Sequence, residues 1–168
     1  MKHSLITVLC LFVLIALNVQ LLCAQQQPGP KIKASAIRVE MIQSDEISLP
    51  AEFQVALYEN LIQQLEKKNS WHVYREGDQS SNEVAGLVVL HSTVRGFKQG
   101  DERKRQVTTV AGATSITVHC QFTDREGKVL LERDIKGRVR LFGGNLRATN
   151  DFAKKAAALA RQSLSTTS

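Results

Sequence analysis

Two histidines, two carboxylates and one cysteine are the residues of this chain whose types and spacing could do chemistry. His119 and Cys120 are neighbours in the run Thr114 to Thr123, where apolar and polar residues alternate as they do in a half-buried strand. Successive side chains on a strand point to opposite faces. Ile116, Val118, Cys120 and Phe122 therefore share one side, and Thr117, His119 and Gln121 share the other. A Cys–His nucleophile pair needs both groups within hydrogen-bond reach, which this parity forbids. Cys120 is thus read as a small core residue.

His119 has better prospects across strands. Val84 to Phe97 reads as the preceding strand, with Val88, Leu90 and Val94 on the face of Val118 and Phe122. A hairpin centred near Arg105 sets His91 opposite His119, and other registers of the same parity separate them by one or two pairs. In the next hairpin a two-residue turn at Glu126-Gly127 places Asp134 opposite His119, whereas a four-residue turn from Asp124 places Glu132 there. His91, His119 and Asp134 or Glu132 on one exposed sheet face could bind a divalent metal or form a His–Asp proton-handling pair. The plainer reading is a polar, solvated face with cross-strand charge pairs.

Leu87, Val89 and Leu130 share the parity of that face. They make either an apolar docking surface or a patch beneath a loop or the N-terminal leader. Lys98, Arg103, Lys104 and Arg105 crowd one hairpin tip, a surface for anionic polymer or lipid headgroups if it is more than a solvated charged loop. No aromatic is interleaved for base stacking, so nucleic acid is not expected.

The elements that must position these residues follow from periodicity. Ile37, Val39 and Met41 alternate with Arg38 and Glu40 as a strand. Ser48-Leu49-Pro50 opens a helix striped by Phe53, Leu57, Leu61 and Leu65 and closed by Lys67-Lys68-Asn69. Trp71, Val73 and Glu76 bracket a short strand. Gly77 to Glu83 reads as a mobile loop, Lys98 to Gln106 as a charged connection and Lys128 to Phe142 as another long strand. Gly143-Gly144-Asn145 breaks it, and Thr149 or Asn150 caps a final alanine-rich helix. Helices segregated from a run of strands predict an α+β fold: a two-layer sandwich, with a mixed, mostly antiparallel sheet of about five strands and two helices on one face.

The N-terminus gives an address. Lys2 and His3 precede the apolar run Leu5 to Leu17, and Leu22-Cys23-Ala24 precede three glutamines, the pattern of a secretory signal peptide over residues 1–24. Asn18 and Gln20 interrupt the run before it reaches the ~20 residues of a membrane span. Lipid attachment at Cys23 is the alternative to cleavage after Ala24 and would tether the protein to a membrane. A flexible leader is expected over 25–34, one domain over 35–164 and a disordered tail over 165–168. Lys and Arg number 22 against 16 Asp and Glu, a modest basic excess that solubility alone explains. Cys10 and Cys23 fall in the signal peptide, leaving Cys120 without an internal disulfide partner despite the oxidising destination. Nucleophile-elbow, phosphate-loop and zinc-type spacings are missing from the sequence.

The run Gly86-Leu-Val-Val-Leu to Gly96-Phe97, with Ala111-Gly112-Ala113, Asp124-Arg-Glu-Gly127-Lys-Val-Leu and Gly143-Gly144 before an alanine-rich helix, resembles domain-of-unknown-function family 4410. The resemblance spans Ala34 to Leu164. It implies a bacterial envelope protein, exported or lipid-anchored, without an established activity, and carries no catalytic residue across. The expectation is therefore an exported protein of the periplasm or exterior, associated with the outer membrane if tethered. It would be non-enzymatic, without cofactor, and act by contact with an envelope protein or the envelope surface.

Overall fold

The computed structural model describes residues 31–168, apart from residues 45, 69–70, 108–111, 141–142 and 167–168. The expected signal peptide and the first six residues of the leader lie outside the described residues. Within them the chain order is β1 (Ile32–Ala34), β2 (Ala36–Val39), α1 (Ala51–Lys68), β3 (His72–Arg75), a 3-10 turn (Gln79–Glu83), β4 (Leu87–Lys98), α2 (Glu102–Val107), β5 (Thr114–Thr123), β6 (Val129–Val139), α3 (Arg147–Ser163) and β7 (Leu164–Thr166). A five-stranded sheet in the order β3-β2-β4-β5-β6 carries α1 and α3 on one face. The α+β expectation holds.

The β2–β3 and β2–β4 pairs are parallel because α1 carries the chain back across the sheet. The β4–β5 and β5–β6 pairs are antiparallel hairpins. One core fills the gap between the layers. Phe53, Leu57, Leu61 and Leu65 of α1 meet Phe152, Ala153, Ala156 and Ala160 of α3 over Ile37, Leu90, Val118 and Phe122 of the sheet. Alanines on α3 let that helix lie close to β6. Gly137 makes the same approach possible from the strand, because a Cβ there would collide with the Ala148 carbonyl and stand 2.7 Å from Phe152 Cβ.

Several local expectations are corrected. The last residues of the expected leader and the first of the expected tail pair with each other, since β1 and β7 form a parallel two-stranded ribbon joining Ile32 to Leu164 and Ala34 to Thr166. The expected mobile loop is capped instead. Asp78 accepts hydrogen bonds from the backbone N–H and hydroxyl of Ser80, which open the 3-10 turn and lower the Asp78 pKa. The charged connection contains α2. The last helix begins at Arg147, before the expected cap, and the Thr149 hydroxyl donates to the Leu146 carbonyl.

Candidate functional site

Register decides what the helix-free sheet face presents. The β5–β6 turn holds Gly127 at a φ of +83°, which only glycine adopts without strain, and the Lys128 N–H is satisfied by the Asp124 carboxylate. The resulting register is the one set by Glu126-Gly127, with His119 opposite Asp134 and Gln121 opposite Glu132. His119 Nδ1 lies 2.8 Å from Asp134 Oδ1, and its Nε2 lies 3.8 Å from Glu132 Oε2. Both carboxylates weighed from the sequence therefore flank the same imidazole.

The β4–β5 register differs from the expected one. His91 pairs with Gln121, and Thr93 stands opposite His119. Helix α2 moves the hairpin centre by one pair relative to a turn centred on Arg105. His91 turns instead to Glu40, one residue past β2, with its Nδ1 2.9 Å from Glu40 Oε2, and its Nε2 lies 3.3 Å from Thr123 Oγ1 at the end of β5. Glu40 also faces Arg38 at 3.5 Å, and Arg38 donates to Asn82 at 3.0 Å. The two histidines are thus committed to separate carboxylates. Among the described residues no three His, Cys, Asp or Glu side chains converge as a metal ion requires.

The opposite parity of Cys120 is confirmed by its burial. Burial pushes the thiol up to about 12, against a weaker downward pull from the Ser92 hydroxyl 4.0 Å away. A thiol so protonated is no nucleophile at neutral pH.

The apolar patch expected on this face is a second small core. Leu87 and Val89 are buried with Ala36 beneath Tyr74 and Val84. The segment after β3 roofs them, held by the Arg125 guanidinium donating to the Val84 carbonyl at 2.5 Å and by Ser35 N–H donating to the Gly86 carbonyl at 3.0 Å. Leu130 is half-buried against the main core. Its parity changes because a bulge separates the Phe122–Leu131 and Thr123–Val129 pairs. These three residues do not form an open docking patch.

The basic tip also divides. Lys98, Arg103 and Lys104 are exposed, but Arg105 is only 3% exposed. The turn of α2 directs it inward, where it donates to the Gly112 carbonyl at 2.5 Å, the Thr114 hydroxyl at 3.3 Å and the Gly143 carbonyl at 2.9 Å. Glu102 sits 3.8 Å from the same guanidinium and accepts the Asn145 N–H at 2.8 Å. Arg105 is a clasp joining the approach to β5 with the exit from β6. In the sequence it looks like its basic neighbours, and only the glycines at 112 and 143, whose carbonyls it meets, hint at the difference.

What remains open is a set of rungs running across β4, β5 and β6. The first is Lys98–Ser115–Arg138 and the second Gly96–Thr117–Lys136. The third is Thr93–His119–Asp134 and the fourth His91–Gln121–Glu132. Their β6 members are all exposed. One end of the face is therefore cationic and hydroxyl-bearing, and the other pairs histidines with carboxylates. The cationic half was missed in the sequence because Lys136 and Arg138 lie on a different hairpin from Lys98.

No protein-family model matches the chain, and no curated protein matches it in sequence. The resemblance to family 4410 therefore rests on the quoted residues alone. Solved structures similar to this chain include the PelC dodecamer from Paraburkholderia phytofirmans, with a TM-score of 0.58 at 14% identity over 84% of this chain and 96% of that one. A single-substitution variant of PelC from the same organism, in a second crystal form, gives 0.56 at 14% identity over 83% and 95%. Protein XCC0632 from Xanthomonas campestris, of the family model DUF330, gives 0.49 at 12% identity over 79% and 85%. At these identities the PelC likeness is one of fold.

Proposed function

We propose that this protein is an exported, non-enzymatic domain of the bacterial envelope that works by contact, through the helix-free face of its sheet over β4, β5 and β6. The observation that carries the reading is the asymmetry of the sandwich. One side of the sheet is sealed by α1 and α3, while the other presents four polar rungs of fixed register. Rigid strands hold such side chains more firmly than a loop would. The pairing of His119 with Asp134 belongs to this surface, and both ring nitrogens of His119 face carboxylates rather than a hydroxyl or thiol.

Export rests on the N-terminal pattern of charge, apolar run and small-residue exit. Among the described residues no helix is long and apolar enough to cross a membrane. Cleavage after Ala24 and lipidation of Cys23 differ in the mass of the mature N-terminus, which intact-mass spectrometry reads directly. A retained Met1 would contradict export.

The contact reading is tested by Thr117→Glu, which puts an acid in the centre of the face without touching the core. Recovery of native partners from an envelope extract should fall several-fold relative to wild type. Recovery equal to wild type would count against the face. A second reading, self-assembly, is favoured by the fold likeness to a protein solved as a dodecamer. Light scattering of the purified chain distinguishes a monomer from a ring-sized particle.

A further inference from the structure

The cationic half of the open face has a chemistry of its own. Lys98 on β4 and Lys136 with Arg138 on β6 form two rails, separated by two inter-strand spacings of about 4.8 Å each. Between the rails β5 contributes only the half-buried hydroxyls Ser115 and Thr117. Gly96 leaves the second rung open, since a Cβ there would meet nothing nearer than Thr117 Cβ at 3.8 Å. Along β6 the two cations are two residues apart, about 7 Å of strand. None of Lys98, Lys136 and Arg138 has an ion pair with a carboxylate among the described residues, while Arg95 at the β4 bulge is turned to Glu46 at 3.8 Å.

We propose that these two rungs bind an acidic polysaccharide, laid along β5 with its carboxylates on the lysine and arginine rails and its hydroxyls on Ser115 and Thr117. This deepens the contact reading above and rests on it. Three features select this ligand. Long cations flanking a low, hydroxyl-bearing floor suit a narrow polymer that carries both anionic and hydroxyl groups. A lipid surface would be met by an apolar anchor among basic residues, yet among the described residues none of the exposed large hydrophobic ones, Met41, Val55, Val107, Val129 and Leu146, belongs to a rung. Single-stranded nucleic acid would need aromatic stacking partners, and the rungs contain none. The carboxylates Asp134 and Glu132 on the next two rungs repel a polyanion and confine it to the cationic end.

The test is titration of the purified full chain with polygalacturonate, with dextran, polyglutamate and phosphatidylglycerol vesicles as separate arms. Polygalacturonate should bind, and binding should weaken as salt rises. The double charge reversal Lys136→Glu with Arg138→Glu should weaken it at least about tenfold, and the charge-matched double reversal Lys67→Glu with Lys154→Glu, at exposed positions of α1 and α3, by less than about twofold. Both variants alter exposed side chains, and a circular-dichroism melt equal to wild type confirms that they fold. Equal losses in the two variants would reduce the effect to net charge and overturn the proposal. So would equal binding of polyglutamate, binding of dextran, or binding of vesicles alone. If polygalacturonate fails to bind while Thr117→Glu still abolishes partner recovery, only the ligand class falls. If both are without effect, the face itself is wrong.

Discussion

Replacing Arg105 by alanine should cost far more than replacing any other basic residue near it. Its guanidinium makes two short bonds, to the Gly112 and Gly143 carbonyls, and a longer one to Thr114. Hydrogen bonds from a charged donor contribute about 1.5–3 kcal/mol each, so the two short ones suggest about 3–6 kcal/mol. Both carbonyls lie in connections near the surface, where water can enter once the side chain is gone, and Nε has no partner among the described residues. Both points pull the figure down, to about 3 kcal/mol. At a urea dependence of about 1.5 kcal/mol per molar, the midpoint should fall by about 2 M. Arg105→Lys should recover only part of this, because a single ammonium cannot span both carbonyls as the planar fork does. Arg103→Ala, an exposed control on the same helix, should stay within about 0.5 kcal/mol. A loss below about 1 kcal/mol for Arg105→Ala would refute the clasp and return Arg105 to the solvated tip.

Gly137→Ala should destabilise by at least about 2 kcal/mol in a denaturant melt, because the obstacle is the backbone of α3 rather than a movable side chain. Cys120 should resist alkylation at pH 8 until denaturant is added. Because its folded pKa is raised from 9.0 to about 12, its contribution to stability is present below pH 9 and lost as pH rises towards 12. A thiol that labels rapidly in the native protein would contradict its burial. Glu59 is held below the usual carboxylate range by the hydrogen-bonded Arg75 guanidinium, so its small stabilisation exists above pH 4.5 and fades as pH falls below that. Glu59→Gln should remove that part of the acid dependence. The pair is exposed and screened, so the effect at neutral pH should be slight.

Much of this was legible in the sequence because period and parity are local. The stripe from Phe53 to Leu65 gave α1, and the alternation from Thr114 to Thr123 gave β5 and the opposed faces of His119 and Cys120. The turn residues Asp124 to Gly127 marked one hairpin, so a carboxylate opposite His119 was legible, while the choice between Asp134 and Glu132 depended on the length of that turn. The other hairpin could not be read so well. Its connection folds into α2 around a buried arginine, and the one-pair difference moved His91 from His119 to Glu40. Leu87 and Val89 have the parity of an outer face, but parity does not say what lies above it, and the roof is built by residues from Tyr74 to Val84. The β1–β7 ribbon joins the two ends of the domain through three residues on each side, too short for any alternation to mark.

The central claim is that the open sheet face, and not the helical layer, meets the partner. A photocrosslinking amino acid placed at Thr117, with a matched variant carrying it at Lys154 on α3, tests this in intact cells. The account predicts crosslinked material from position 117 and little from position 154. Crosslinks confined to position 154, or none above background at position 117 with the protein folded and abundant, would contradict it.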